Sequence, residues 1–152
     1  MVQTKCGFNN SPEVSGADLL TLNGPTLFVD IGFDPTYTGP PAPPPLAAVT
    51  ELQALVDTGA TECCIDNLLA ATLKLPLVDR RPISGSAGQH MANVYLAQVH
   101  VPTLNFTIYG AFAGVELAAG GQWHSALIGR TFLQHFTMVY EGRTGTVTIH
   151  ND

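Results

Sequence analysis

The chain has 152 residues, 45% of them hydrophobic and 12% charged, which is enough for one sizeable core and too few for two ordinary domains. Twelve acidic against six basic residues leave a formal net charge of -6, and no cluster of Lys or Arg is present to neutralise a run of phosphates, so nucleic acid is excluded as an expected partner. No window approaches the roughly 18 consecutive apolar residues of a membrane span, and Met1 to Asn10 lacks the apolar stretch of a secretory signal, so a cytoplasmic protein with no membrane partner is the expectation.

In chain order, residues 1–23 are weakly patterned and interrupted by Asn9-Asn10-Ser11-Pro12 and Ser15-Gly16, which predicts a flexible N-terminal arm. Thr26 to Phe33 is rich in β-branched and aromatic residues between Gly24-Pro25 and Asp34-Pro35, and predicts a strand. A Pro-rich loop follows within 34–49, with five prolines between positions 40 and 45, a composition that cannot donate to a sheet ladder. Strand character resumes from Thr50 to Val56, runs into Asp57-Thr58-Gly59-Ala60, and returns briefly in Glu62 to Ile65. Asp66 is a good N-cap for a short helix over Asn67 to Leu73, which must stop before Pro76.

Beyond it the pattern is again β. Leu77 to Ile83 and Asn93 to Val101 flank Ser84-Gly85-Ser86-Ala87-Gly88 as a long hairpin and its tip, and Leu104 to Ala113 and Ala126 to Ile128 supply further strands. Thr131 to Phe136 has helical spacing, and Met138 to Glu141 turns through Gly142 to Gly145 into Thr146 to Ile149. Many short strands with one or two short helices predict an all-β fold, a barrel or a sandwich.

Three features bear on chemistry. Cys6, Cys63 and Cys64 form an odd set whose adjacent members rarely bridge, so buried, reduced thiols are expected. His90, His100, His124, His135 and His150 stand at no metal-ligand spacing, and neither a metal nor another cofactor is expected. Asp57 is delivered by the apolar Ala54-Leu55-Val56 into a turn that Gly59 permits. On its own such a tripeptide is also an ordinary strand-ending turn, with the carboxylate accepting backbone N–H bonds. Leu127-Ile128-Gly129, about 70 positions later, is likewise common at strand ends.

Their combination is more specific. Leu55-Val56-Asp57-Thr58-Gly59-Ala60, a Gly-bearing hairpin about 25 residues on, and Leu127-Ile128-Gly129-Arg130 before a short helix together resemble the retropepsin family of aspartic proteases, in order and spacing from about Thr26 to Ile149. The resemblance implies a closed β-barrel or sandwich that is one half of a pepsin-like two-fold dimer, with residues 24–152 as the protease domain. It implies a catalytic role for Asp57, a cross-dimer hydrogen bond from Thr58, and a cleft lined by Gly59 and Ala60, with Leu55, Thr61 and Glu62 beside them. Ser84, Gly85, Ser86, Ala87 and Gly88 match the flap that closes over bound peptide, and Ile128 would face a substrate side-chain pocket. Leu127, Gly129 and Arg130 would support the catalytic loop.

Two departures stand out. Thr61 occupies the position where the retroviral enzymes place an acid opposite the arginine, which leaves Glu62 as the candidate partner of Arg130. The chain also ends in a hairpin where those enzymes end in one short interleaving strand.

The chemistry implied needs two carboxylates about 3 Å apart sharing one proton, the general pattern of aspartic proteases. None of Asp18, Asp30, Asp34, Asp66, Asp79 and Asp152 precedes Thr-Gly or Ser-Gly, so the second carboxylate must be the Asp57 of another copy, met on a two-fold axis. The expected function is an endopeptidase that acts on polypeptides as a homodimer. The alternatives are a catalytically silent dimerisation or peptide-binding domain on the same fold, and a phosphate-binding β-domain in which Asp57, Glu62 and Asp66 hold a metal.

Overall fold

Leu27, Val29 and Ile31 alternate with Phe28 and Asp30. The two-residue period of a strand turns the first three inward, where none is more than 1% exposed, and leaves Phe28 57% exposed. The same alternation recurs in other segments, as in Thr146–His150, and strands make a mostly β protein. The structure is a computed structural model that describes residues 1–85 and 88–152. Its first elements are β1 (Gln3–Lys5), α1 (Gly16–Asn23), β2 (Thr26–Gly32), β3 (Val49–Val56), β4 (Cys64–Asp66) and α2 (Asn67–Thr72). There follow β5 (Leu77–Gly85), β6 (Gly88–Val101), β7 (Phe106–Val115), β8 (Ala126–Ile128), α3 (Arg130–Leu133), β9 (Thr137–Glu141) and β10 (Thr146–His150).

The strands form two sheets. The larger runs β2-β3-β8-β4-β7-β6-β5, and a further pairing of Asp30–Gly32 with Gln98–His100 joins β2 to β6 and closes a ring, with β5 hanging outside it. The smaller has the order β1-β10-β9. The all-β class therefore holds, but the ring is not a clean barrel, because a second sheet and a projecting hairpin stand beside it. One core joins both sheets: Ile31, Val56, Ile65, Val99 and Ile128 of the ring pack with Phe132 of α3 and with Val147 and Ile149 of β10.

Two expectations need correction. Residues 1–23 are predicted as a flexible arm, yet β1 pairs with β10, the Thr26 N–H donates to the Cys6 carbonyl at 2.8 Å, and Cys6 and Leu20 are buried in the core. The Ser15-Gly16 pair acts as a helix start where a breaker is predicted, since the Ser15 hydroxyl accepts from the Asp18 N–H at 3.1 Å and caps α1. That cap raises the count to three short α-helices where one or two are predicted.

The Pro-rich loop is pinned at its entrance. The buried Gln98 side chain accepts from the Asp34 N–H at 2.6 Å and donates to the Asp34 carbonyl at 3.1 Å. The Asp34 carboxylate takes bonds from the Thr36 hydroxyl and from the Thr36 and Leu46 amides, which hold its pKa below the ordinary value. No helix is long and apolar enough to cross a membrane among the described residues.

His124 is a buried histidine just before β8; its Nε2 lies 3.0 Å from the Thr26 hydroxyl and its Nδ1 has no partner among the described residues. Burial favours the neutral ring and lowers its pKa. The stability tied to His124 is therefore complete above the unfolded value of about 6.5 and is lost as pH falls from there toward the lower folded value.

Two outcomes are expected. Leu20→Ala should lower the unfolding free energy by about 2–5 kcal/mol in urea titrations; a loss under about 0.5 kcal/mol would show that α1 is not packed. His124→Asn should flatten the fall in stability between pH 7.5 and 5, and an unchanged slope would remove the buried-neutral assignment.

Candidate active site

A parallel ladder sets the position of Asp57. Ala54, Leu55 and Val56 of β3 pair with Ala126, Leu127 and Ile128 of β8, and one rung further on the Asp57 N–H donates to the Ile128 carbonyl at 2.9 Å. There the chain turns. The Ala60 N–H returns to the Asp57 carbonyl at 3.2 Å, and the Gly59 N–H donates to Asp57 Oδ1 at 2.8 Å. A Cβ at position 59 would stand 3.1 Å from that same oxygen, so the glycine leaves room for the carboxylate. Asp57 Oδ2 has no hydrogen bond among the described residues, and Asp57 is half-buried between exposed Thr58 and Gly59 and the core residue Val56.

The rest of the loop is strapped to the segment entering α3. The Arg130 and Thr131 amides donate to the carbonyls of Ala60 and Thr61 at 2.9 and 3.0 Å, and the Gly129 amide donates to Cys63 Sγ at 3.3 Å. The Arg130 guanidinium donates to the Thr58 carbonyl at 2.7 Å and to the Thr61 hydroxyl at 3.1 Å. Gly129 is required by the closeness of this contact: a Cβ there would meet the Glu62 carbonyl oxygen at 2.5 Å and that of Ala60 at 2.8 Å.

Several residues named from the sequence sit differently. Ile128 is 0% exposed within the core and has no surface to offer a substrate, whereas its neighbour Leu127 is partly exposed. In a strand a one-residue change of register exchanges the faces, and the pairing of β8 with β3 and β4 shows which of the two apolar residues points inward. Glu62 does not meet Arg130. Its Oε2 lies 2.6 Å from Arg81 Nη2, the one ion pair among the described residues, and hydroxyl and carbonyl oxygens satisfy Arg130 instead.

Leu55 and Ala60 are half-buried and Thr61 is exposed. Ser84 and Gly88 are exposed at the end of the β5–β6 ladder, where Gly85 pairs with Gly88, and Ser86 and Ala87 lie outside the described residues. Arg81 is the site residue missed from the sequence, because its role appears only once the hairpin is folded back beside Glu62.

The other candidate chemistries lose their parts. Asp66 is buried and spends its carboxylate on the amides of Leu69, Leu117 and Ala118, at 3.0 to 3.1 Å. With Glu62 paired to Arg81, neither Glu62 nor Asp66 is left for a metal shared with Asp57, and no group of three or more His, Cys, Asp or Glu side chains able to hold an ion occurs among the described residues. Burial pushes the Cys6 thiol up to about 12 and that of Cys64 up to about 11, and also raises that of Cys63, so none supplies a thiolate nucleophile at neutral pH.

Two depressions adjoin the loop. One of about 360 Å³ is lined by Thr58, Arg130, Leu133, Gln134 and Met138. A larger one of about 910 Å³ runs along the Pro-rich loop and β7 and reaches Glu62 and Cys63, but Asp57 does not line it. In one chain the Asp57 carboxylate therefore stands at a surface, outside both depressions.

No protein-family model matches the chain, and no curated protein gives a match.

Gly129→Ala should cost about 1–3 kcal/mol in unfolding free energy, because the new methyl meets backbone oxygens that have nowhere to move. Stability equal to that of the parent would show that the loop and α3 are not held at this distance.

Proposed function

We propose that this chain is one half of a homodimeric aspartic endopeptidase of the retropepsin type, in which two copies of Asp57 activate a water against a peptide bond. The observation that carries the reading is the placement of Asp57. A lone carboxylate is set at the end of a strand whose last turn into the loop follows buried Ala54 and Val56, fixed through Oδ1 by the Gly59 amide, with Oδ2 free of protein partners among the described residues. Its loop is braced by the Ile128–Thr131 segment. A preorganised acid of this kind suits proton transfer, which requires geometry first.

One such acid is insufficient. Hydrolysis by this route needs one carboxylate to take a proton from the attacking water and a second, protonated one to polarise the scissile carbonyl. The chain carries a single Asp-Thr-Gly, so an isologous two-fold dimer would supply the other copy. It would also turn the open surface at Asp57 into a cleft. Thr58 and Gly59, exposed on either side of the two-fold, would meet their own copies there. Leu127 replaces Ile128 as the apolar residue offered to substrate side chains, and Ser84 to Gly88 would lie over the bound peptide.

Asp57→Asn keeps the size of the side chain and the acceptor for Gly59, so it should leave folding and assembly intact while lowering casein cleavage at mildly acid pH by about a hundredfold or more. Mixing the variant with the parent chain should depress activity more than dilution does, since mixed dimers hold one carboxylate. Cleavage by Asp57→Asn, or full activity in a species that sediments as a monomer, would overturn the proposal. A folded, dimeric parent chain that binds peptides and never cuts them would support the silent-domain reading instead.

A further inference from the structure

The β5–β6 hairpin is held very unevenly along its length. Among the described residues β5 pairs only with β6, from Leu77 opposite Tyr95 to Gly85 opposite Gly88. β6 in turn gains a second neighbour only from Val94 onward, where β7 begins to pair with it, and a third contact at Gln98–His100, where β2 closes the ring. Residues 80–85 and 88–93 therefore form a two-stranded ribbon with no third strand paired to it among the described residues. Ribbons of that kind are marginally stable in water, because they lack a sheet or helix on which to bury a face. Pro82, Ser84, Gln89, His90 and Met91 along it are exposed, Arg81, Ile83 and Asn93 are half-buried, and Ala92 near its base is buried.

One side-chain bond leads from this ribbon to another element among the described residues, and it is the ion pair of Arg81 with Glu62 at 2.6 Å. The Asn93 amide bonds only within its own strand, to the Tyr95 hydroxyl at 3.2 Å. At the other end of the pair, Glu62 stands five residues after Asp57, between Thr61, whose carbonyl takes the Thr131 amide, and Cys63, whose sulfur takes the Gly129 amide. Glu62 thus moves with the Asp57 loop, while Arg81 moves with the ribbon. The two side chains are 52% and 36% exposed respectively, so water screens their attraction and the pair is weak. A weak bond is what a cover needs if it is to close on a substrate and still release the product.

We infer that Arg81 and Glu62 are positioning residues forming an ionic latch, which fastens the free ribbon of the β5–β6 hairpin to the loop that carries Asp57. The inference rests on the reading of that hairpin as the cover of a peptide cleft, but the latch is a property of the folded chain and is measurable without any substrate. When the pair breaks, the ribbon keeps its cross-strand bonds and loses its tie to the loop. When it forms, the ribbon is drawn against the site. Arg81 touches no reacting atom, and its effect passes through Glu62.

Hydrogen–deuterium exchange on the full chain tests this. Arg81→Gln and Glu62→Gln should each raise exchange in the peptides covering residues 80–93 by roughly two- to fivefold, with β2, β3 and β8 unchanged. The reversed pair Arg81→Glu with Glu62→Arg should restore the parent rates, which a purely local structural role would not do. Raising salt toward 1 M, where the screening length falls to about 3 Å, should loosen the parent and leave Arg81→Gln where it was. If peptide is cut, Arg81→Gln should raise KM by more than it lowers kcat. Exchange rates unmoved by either single change, or unrestored by the reversal, would overturn the latch whatever the activity. A latch that responds as described in a chain that cuts no peptide would instead overturn the protease reading and leave the latch standing.

Discussion

The position of Asp57 depends on the seam between β3 and β8, where two segments some 70 residues apart in sequence run parallel and continue bonding past the ends of their strands. Strands in parallel cannot be joined by a tight turn. Here the chain leaves β3 at the Asp57 loop, lays down β4 to β7, and returns to β8 alongside β3. Closing the ring between β2 and β6 is the geometric companion of that return, since it brings the excursion back beside β2. Gly129 marks the tightest point of the seam, with backbone oxygens where a side chain would stand.

Rigidity is distributed unequally around this seam. The loop from Asp57 to Cys63 is tied by backbone amides, a sulfur acceptor and the Arg130 guanidinium, and Cys63 at its end belongs to the core. The outer ribbon of the β5–β6 hairpin has its own ladder and one half-exposed ion pair. Local opening follows the density of buried contacts and protected hydrogen bonds, so the loop belongs to the stable part of the molecule and the ribbon to the part that opens first. On the proposed function, a fixed acid beside a loosely held hairpin would suit a site that encloses a polymer and releases it.

Much of the fold was legible in the residues. The alternation in Thr26–Gly32, the Asp66 cap before α2 and the turn at Gly142–Gly145 all obey local rules, and their elements lie close to where those rules put them. The Asp-Thr-Gly turn was legible for the same reason: an acid and a glycine after an apolar strand make a turn with few alternatives. What failed did so on non-local contacts. Ser15-Gly16 looks like a breaker until the core offers Leu20 a place to be buried, and Glu62 looks like the partner of Arg130 until Arg81, 19 residues away, arrives beside it. Leu127 and Ile128 are chemically interchangeable, and only the register of β8 between β3 and β4 shows which is the buried one.

The residues by themselves therefore determined an all-β chain with one strand-borne Asp-Thr-Gly, because strand period, turn chemistry and capping act over a few neighbouring positions. Only the tertiary structure decided that Cys6 and Leu20 of the first 23 residues belong to the core, that Arg130 braces the Asp57 loop through its oxygens, and that Arg81 reaches Glu62. Those are pairings across long stretches of chain, and the free energy that selects them comes from burial and hydrogen bonding between segments whose proximity no local pattern records.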